Sequence, residues 1–382
     1  GIIQDNVAST GKVALNIGST TFGANVTLSG PNTFTGNVSL PALNTQPRAI
    51  LTLTNSGALG TGTKTITSTG ANNAGNGGEI HLQNNITLAS GLSFTTSGFA
   101  LWNDSGNNII NGAINFQSGA GNTFITSTSG SLTIAGNMTA VAATRGLNLR
   151  GDGDGLISGI ISDGSTTTGL PVTKESGAGT WTLSGVNTYT GITTVTAGTL
   201  RATTSVQALG TGAATLSLGG GTLLLANNTG LNFARNTTVT ATSTITSDTL
   251  TAVAGVTHTL GTLSIGAQTL NIATGANATG TTSGISFGNA SLTGAANLAP
   301  AANTSLTLSG TTALGTANNA LTKSGAGSLT LSGVASGGNT TAGNNSISIT
   351  SGTLSLGSNA NTLTGDVAID GATSILSIVG TS

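Results

Sequence analysis

Short runs in which apolar residues alternate with Thr or Ser recur along the whole chain. They include Val26–Leu28, Leu132–Ile134, Trp181–Leu183, Leu306–Leu308 and Leu354–Leu356. A period of two is typical of a strand with one buried face, and β-branched Thr suits the exposed face. Gly and Asn pairs between the runs allow positive φ angles and mark turns. Helical spacing of apolar residues is nearly absent, so the pattern predicts an all-β chain.

Two motifs repeat within the chain. The first is an alternating strand followed by Ser-Gly, and it is clearest at 26–36, 174–200 and 323–354. The second, Ala-Leu-Gly-Thr, occurs at 58–61, 208–211 and 313–316. One short strand cannot bury its apolar face alone, whereas coils stacked at about 4.8 Å share a continuous core. With roughly 22 residues per coil the chain would form about 17 coils, and Leu183, Leu308, Leu331 and Leu354 are expected to point inward.

The central copy of the first motif resembles a known repeat. It reads Gly-Ala-Gly-Thr-Trp-Thr-Leu-Ser-Gly-Val-Asn-Thr-Tyr-Thr-Gly over 177–191, and Thr-Ala-Gly-Thr-Leu follows at 196–200. This string is similar to the passenger-associated β-strand repeat of bacterial autotransporters. The C-terminal copy departs from it at Val334–Gly337, where Asn-Thr-Tyr would stand, and the N-terminal copy keeps Asn32–Phe34 without a clear Gly-x-Gly before it.

The resemblance implies a right-handed parallel β-helix, exported by a Gram-negative bacterium and displayed or released outside the cell. It implies no chemistry. Together with the repeats, it predicts one continuous β-solenoid over 1–382, a single elongated rod without a second domain. The chain does not begin with Met or a signal peptide, so it is expected to be a processed or excised piece of a longer protein.

Amino-acid composition excludes several kinds of site and partner. The chain has 382 residues with 60 Gly, no Cys, 5% charged residues and a net charge of −1. The absence of Cys excludes disulfides and thiolate metal sites, and the balanced charge gives no basic surface for nucleic acid. No run reaches the roughly 18 to 20 apolar residues of a membrane helix, so no membrane insertion of this segment is expected. Parallel stacking places like charges about 5 Å apart, which explains why charged residues are scarce.

Catalytic chemistry finds little support in the sequence. His81 and His258 are the only histidines, and neither has a paired acid close by in sequence. We therefore expect scattered, exposed titratable groups, no three of them converging, no catalytic residue and no cofactor. A carbohydrate-active enzyme needs paired carboxylates, but Asp366 and Asp370 would lie roughly 13 Å apart on a regular strand. This enzymatic alternative ranks below the structural and adhesive ones.

One cluster is a calcium candidate. Asp152 and Asp154 are spaced by Gly, and Asp163 follows nearby. Calcium prefers such carboxylate and carbonyl oxygens, but the loop lacks the spacing and closing Glu of an EF-hand. The expected interpretation is a solvated turn without metal.

These patterns favour a non-enzymatic extracellular structural solenoid, acting as a fibre subunit or passenger segment. The alternative is an adhesin passenger at the cell surface that binds a surface or an extracellular polysaccharide through weak multivalent contacts. The ends of a solenoid expose unpaired strand edges, and neither end here carries a polar cap. Head-to-tail association with copies of itself is therefore expected, through Ile2, Ile3, Ile375, Leu376, Ile378 and Val379.

Overall fold

The structure is a computed structural model. It describes all residues except 7–10, 20–21, 42–47, 70–77, 98–99, 117–121, 141–145, 166–167, 213–214, 359 and 379–382. The chain divides into two compact units. Unit 1 comprises Gly1–Thr193 with Gly210–Gly212, and unit 2 comprises Thr194–Leu209 with Ala213–Ser382. Whether the whole chain is one continuous rod stays a prediction.

Unit 1 consists of short strands that are connected by turns and loops. They are β1 (Leu15–Asn16), β2 (Asn25–Leu28), β3 (Val38–Leu40), β4 (Ile50–Leu53), β5 (Lys64–Thr69), β6 (Glu79–Leu82), β7 (Thr87–Leu88), β8 (Leu92–Ser97), β9 (Ala100–Asn103), β10 (Asn107–Ile110), β11 (Ala113–Phe116), β12 (Thr123–Ser127), β13 (Ser131–Ile134), β14 (Met138–Ala140), β15 (Leu147–Arg150), β16 (Asp154–Ile157), β17 (Ile161–Ser162), β18 (Val172–Lys174) and β19 (Thr180–Leu183). The next strand, β20 (Thr193–Val195), includes the residue at which the assignment to units changes.

Unit 2 repeats this organisation. Its strands are β21 (Thr199–Thr203), β22 (Leu216–Leu218), β23 (Thr222–Ala226), β24 (Thr237–Val239), β25 (Ser243–Asp248), β26 (Val253–Ala254), β27 (Thr257–Thr259), β28 (Leu263–Ile265), β29 (Thr269–Thr274), β30 (Ala278–Thr279), β31 (Ser283–Phe287), β32 (Ala290–Leu292), β33 (Ala296–Pro300), β34 (Thr304–Leu308), β35 (Thr312–Leu314), β36 (Leu321–Lys323), β37 (Ser328–Leu331), β38 (Ala335–Gly337), β39 (Asn345–Ile349), β40 (Thr353–Leu356), β41 (Thr362–Leu363), β42 (Asp366–Ile369) and β43 (Ile375–Ile378).

The strand pairs recorded among the described residues are all parallel, as stacked coils require. In unit 1, sheet A is β1-β3-β5-β8-β11-β14-β17, sheet B is β2-β4-β6-β9-β12-β15-β18 and sheet C is β7-β10-β13-β16-β19. In unit 2, sheet D is β21-β23-β25-β29-β33-β36-β39-β42, sheet E is β22-β24-β28-β32-β35-β38-β41 and sheet F is β27-β31-β34-β37-β40-β43, beside the pair β26-β30. The predicted all-β parallel β-helix is confirmed. Within the described ranges there is no helix, and hence none long and apolar enough to cross a membrane.

Each unit is built around columns of apolar side chains. In sheet F, Leu308 of β34 pairs in register with Leu331 of β37, and Leu331 pairs with Leu356 of β40. Alternate residues face outward, as Thr330 does beside Leu331. All four leucines predicted to point inward, Leu183, Leu308, Leu331 and Leu354, have 0% exposure. The period of two is thus confirmed as the signature of the buried face.

Coil length differs from the prediction. The prediction was roughly 22 residues per coil, but in-register partners lie from 20 residues apart, at Ser93 and Ala113, to 29 apart, at Ile50 and Glu79. Sheets B and E contain seven strands each, which corresponds to about 14 turns rather than about 17. The turns between strands absorb the extra residues, because the strands themselves stay in register.

One corner of unit 1 requires glycine. Gly112, Gly136, Gly159 and Gly185 stack in successive coils, and a Cβ on any of the last three would collide with the carbonyl oxygen of the glycine below it. The backbones can approach this closely only because no side chain stands between them. This column fixes the corner at which sheet C ends and the next turn begins.

The leucine columns generate the first prediction. Leu331→Ala should lower the free energy of unfolding by about 2 to 5 kcal/mol, because it leaves a cavity between two buried leucines, Leu308 and Leu356. Thr330→Ala on the outward face is the matched control and should change it by about 0.5 kcal/mol or less. Urea unfolding followed by circular dichroism measures both. Equal effects of the two variants would contradict the inward assignment of Leu331.

Candidate functional site

The outer face of sheet B in unit 1 gathers an unexpected charge cluster. His81 of β6 lies with Nδ1 2.9 Å from both carboxylate oxygens of Asp104 and with Nε2 3.3 Å from Glu79 Oε2. Arg48 donates to the other oxygen of Glu79, and Gln83 donates to Asp104 Oδ2 at 3.1 Å. Three titratable groups therefore converge here, and the expectation that no three would do so is wrong.

The pKa values of this cluster follow from its contacts. Burial opposes a charge on either group. For His81, the hydrogen bonds to Glu79 and Asp104 outweigh burial, so the pKa of the imidazole is raised. For Glu79, the hydrogen bonds from His81 and Arg48 outweigh burial, so the pKa of the carboxyl is lowered. The arrangement favours a charged imidazole between two carboxylates.

Stacked planar groups extend this face along the sheet. His81 of β6 and Trp102 of β9 are partners in register, and their rings stack with centroids 5.7 Å apart and an angle of 7°. Two coils beyond Trp102, the Arg150 guanidinium lies 3.8 Å from the centre of the Phe124 ring. Each ring face is thus turned toward a neighbouring coil, so that the ring edges face outward.

Arg150 takes part in a second ion pair. Its Nε donates to Glu175 Oε2 at 2.5 Å, and Asn148 donates to the same oxygen at 2.9 Å. The hydrogen bond from Arg150 outweighs burial, so that the pKa of Glu175 is lowered. In both clusters charges of opposite sign occupy neighbouring coils, which turns the repulsion expected from stacking into attraction. We call residues 48, 79, 81, 102, 104, 124, 150 and 175 the sheet B ladder.

The carboxylates of the calcium candidates accept hydrogen bonds from backbone N–H groups. Asp152 accepts the backbone N–H of Ala178 at 2.8 Å, and Asp154 accepts that of Thr180 at 2.9 Å. Asp163 accepts the backbone N–H groups of Leu170 at 2.6 Å and Thr190 at 2.9 Å. Across the described part of the chain, no three His, Asp or Glu residues form a group that could hold a metal ion. The structure thus gives these carboxylates a role in joining adjacent coils.

His258 departs from the expected exposed side chain. It is 0% exposed in unit 2, where it accepts the backbone N–H of Leu231 at Nδ1 and lies 3.0 Å from the backbone carbonyl of Asp248 at Nε2. Burial lowers its pKa, although the Asp248 carbonyl and charge act in the opposite direction. The sequence analysis predicted the same exposed environment for both histidines. In the structure their environments differ: one favours the charged imidazole and the other the neutral one.

The sequence analysis did not predict that two lysines are buried. Lys174 and Lys323 are 0% exposed and stand at the start of the two Gly-Ala-Gly motifs. Lys174 Nζ donates to the carbonyls of Ser176 and Gly177, and Lys323 Nζ donates to those of Ser324, Gly325 and Ser351 at 2.8 to 2.9 Å. Burial lowers the pKa of Lys323 to about 8. The sequence did contain a signal for these two sites: in a chain with few lysines, both lysines stand at the same position of a repeated motif.

The two sequence motifs contact each other in unit 1. Asn187 Oδ1 accepts the backbone N–H of Ile161, and the Tyr189 carbonyl accepts that of Thr211 in the Leu-Gly-Thr turn at 2.8 Å. Phe34 and Thr61 form the same bond at 3.1 Å. The intervening Gly60 and Gly210 have φ angles of 76° and 82°, where a Cβ would meet the carbonyl oxygen of Phe34 or Tyr189.

The third copies of the motifs do not make this contact. Ala313 and Leu314 of the third Ala-Leu-Gly-Thr lie in strand β35, and Gly315 has no positive φ angle. The C-terminal motif also lacks Asn-Thr-Tyr. The turn is thus seen in the two copies in which an Asn-Thr-aromatic element lies one coil before it.

Of the predicted assembly residues, Ile375, Leu376 and Ile378 lie in β43, and Ile2 and Ile3 lie before the first strand. Ile2 is 59% exposed, and Ile375 and Ile378 of β43 are 56% and 69% exposed. Ile3 and Leu376 are half-buried. Val379 lies outside the described residues. Within the described part of the chain, β43 pairs with β40 on one side only.

A family model matches the segments in which these motifs lie. Residues 176–202 and 321–356 match the passenger-associated-transport-repeat. The chain carries passenger-associated transport repeats. The resemblance to an autotransporter passenger with β repeats is thereby confirmed, and two of the three motif segments identified in the sequence fall within or overlap the matches. No curated protein and no solved structure gives a significant match.

The charge cluster makes stability depend on pH through His81. Its pKa is raised on folding, so its contribution is fully present below the unfolded value of about 6.5 and is lost as pH rises through the folded value. Native protein should therefore exceed His81→Gln in free energy of unfolding at pH 5.5 by more than at pH 9, measured in urea. The Gln variant keeps a donor toward the carboxylates. A difference that is constant between the two pH values would contradict the ion pair.

Proposed function

We propose that the chain is a non-enzymatic structural segment of an extracellular passenger, which supplies length and rigidity to the protein that contains it. The match to a passenger-associated repeat supports export to the outside of the cell or its surface. The observation that carries the structural role is how polar side chains are used. Many of them join one coil to the next.

Asparagine illustrates this use in both units. Asn137 Oδ1 accepts the N–H of Ile160 at 3.0 Å in unit 1, and Asn236 Oδ1 accepts that of Thr262 at 3.0 Å in unit 2. The residues in these pairs are 23 and 26 positions apart, which is one coil. Aspartates 152, 154 and 163 make equivalent bonds. Such ties satisfy backbone donors at turns, where strand pairing cannot reach them.

A deletion of one coil tests the structural role. Removing residues 305–327 joins Thr304 to Ser328, which is the partner of Ser305 in register, and should shorten the solenoid by about 4.8 Å. We expect this variant to be exported and to resist protease as the parent does. Removing only residues 305–315 is the matched control and should abolish both properties, because it leaves the strands out of register.

The coil deletion can also contradict the structural proposal. It is wrong if the in-register deletion is exported and protease-resistant but abolishes a surface phenotype of the intact protein. Such a result would place a specific activity in the deleted coil. It would favour adhesion or catalysis over length.

Adhesion is the second candidate, and the sheet B ladder favours it. This face carries Trp102, Phe124 and two arginines, whereas the outward column of sheet E in unit 2 holds only small residues. That column is Ser217, Thr238, Ser264, Ser291, Ala313, Ser336 and Thr362. Trp and Arg are the residues that most often dominate binding energy. The ladder is therefore where weak polysaccharide contacts would concentrate.

Binding to immobilised polysaccharides tests adhesion. With one neutral β-glucan and one polyuronate as probes, Trp102→Ala should weaken any binding at least about 10-fold, the loss expected of a hot-spot aromatic. Thr133→Ala on sheet C is the control and should leave binding unchanged. If the native chain binds neither probe, or if both variants bind as the native chain does, the ladder is not the adhesive face.

We also propose that end coils associate with a second copy of the chain. The carrying observation is the apolar surface of β42 and β43, where Ile369, Ile375 and Ile378 are at least 53% exposed and where, among the described residues, each strand pairs on one side. An open parallel edge over exposed isoleucines is stabilised by another strand. Head-to-tail contacts that do not close produce filaments.

Electron microscopy with sedimentation tests this association. The double variant Ile375→Glu and Ile378→Glu should lose fibres, because like charges would be buried at the junction. Val186→Glu in unit 1 is the control, since Val186 is similarly exposed at 53%. Fibres that persist in the double variant, or a native chain that sediments as a monomer at all concentrations, would refute end-to-end association.

A further inference from the structure

The hydrogen bonds of His258 fix its protonation state. Leu231 N–H lies 3.0 Å from Nδ1, and the Asp248 carbonyl lies 3.0 Å from Nε2. Since an N–H can only donate and a carbonyl can only accept, Nδ1 must present its lone pair and Nε2 must carry the hydrogen. The geometry therefore holds a neutral imidazole in one tautomer.

This ring secures a surface segment of unit 2. Within residues 227–234, Asn228, Thr229 and Asn232 are exposed. Besides the bond to His258, the Leu231 carbonyl accepts the N–H of Thr259 at 2.8 Å, and Phe233 N–H donates to the Thr259 carbonyl at 2.9 Å. Strand β27 thus holds residues 231–233 through His258 and its neighbour. The start of the segment is held separately, where Asn228 Oδ1 accepts the N–H groups of Leu250 and Thr251 at 2.8 and 3.2 Å.

The backbone of the segment is also strained. Ala234 has a φ angle of 52°, which a residue with a side chain rarely adopts. Such a conformation persists only while the surrounding contacts enforce it. Loss of the bond to Leu231 removes one of these contacts.

Few charged groups face His258. On the elements packed against the ring, the charged residues are Asp248 at the end of β25 and Arg235 beyond Phe233, and both are buried. The Asp248 carboxylate accepts the N–H groups of Thr249, Asn277 and Ala278 at 2.8 to 3.1 Å, so its hydrogen bonds are directed to the backbone. Strand β31, which places Ile285 in register with His258, contributes no charge.

We propose that His258 is a pH-sensitive switch: a second proton, taken from solvent at acid pH, breaks the hydrogen bond to Leu231 and releases the segment 227–234 from unit 2. The added proton on Nδ1 would face the Leu231 N–H donor, so the bond cannot survive. A buried imidazolium would also lack hydration. Opening of the segment relieves both costs, and the strain at Ala234 with them.

The direction of the effect follows from linkage. The pKa of His258 is lowered in the folded chain, so its contribution to stability is present above the unfolded value of about 6.5 and is lost as pH falls through the folded value. His81 in unit 1 acts in the opposite direction, because its pKa is raised. His81 is therefore an internal control for the titration of His258, because the same pH change affects the two residues in opposite directions.

Two measurements on the intact chain test the switch. First, proton NMR follows the imidazole C2–H signals, which number two because the chain has two histidines, and His81→Gln assigns them. His258 should titrate below about 6.5 and His81 above it. Second, hydrogen exchange with mass spectrometry should show that protection of 227–234 falls by up to about tenfold per pH unit between about pH 6.5 and the lower pH at which folded His258 titrates, after correction for intrinsic rates.

His258→Gln is the variant for the second measurement, since it keeps a donor toward Asp248 but cannot titrate. Its protection over 227–234 should be independent of pH in the same range. The proposal is overturned if native protection there does not change with pH, or if the variant loses protection as the native chain does. It is also overturned, without any variant at position 258, if His258 titrates at or above 6.5.

Discussion

Parallel stacking in register is the constraint on which the structure depends. Each side chain in a strand lies about 4.8 Å from its equivalent in the next coil, so every position belongs to a column. Inward columns must be apolar along their length, as Leu308, Leu331 and Leu356 are. Corner columns must be glycine wherever backbones touch, as at Gly136 and Gly159.

Charge is governed by the same constraint. A like charge in the next coil is costly, and the chain has few charged residues. Several of those present are paired across coils, as Arg150 with Glu175 and His81 with Asp104 are, and others donate to backbone carbonyls, as Lys323 does. Aspartates serve as hydrogen-bond acceptors for the coil that follows. Polar chemistry is largely used to hold the stack together, which is the physical basis for the proposed structural role.

The two histidines show how one residue type is given opposite roles. His81 lies between carboxylates on the outer face of sheet B, which favour its charged form. His258 lies between a backbone donor and a backbone carbonyl in the interior, which require its neutral form. The contributions of these two side chains to stability therefore change in opposite directions with pH.

The sequence by itself determined the strands, the buried leucines and the fold class, because alternation with a period of two is a local property that the parallel coils preserve. It also identified the Asn-Thr-aromatic motif at Asn32 and Asn187, but not the Leu-Gly-Thr turn that this motif contacts. Only the tertiary structure decided which residues meet across coils. Asp104 lies 23 positions from His81 and Leu231 lies 27 from His258, and coil length varies between 20 and 29 residues. With no constant period, spacing along the chain cannot assign a side chain to its neighbour in the next coil.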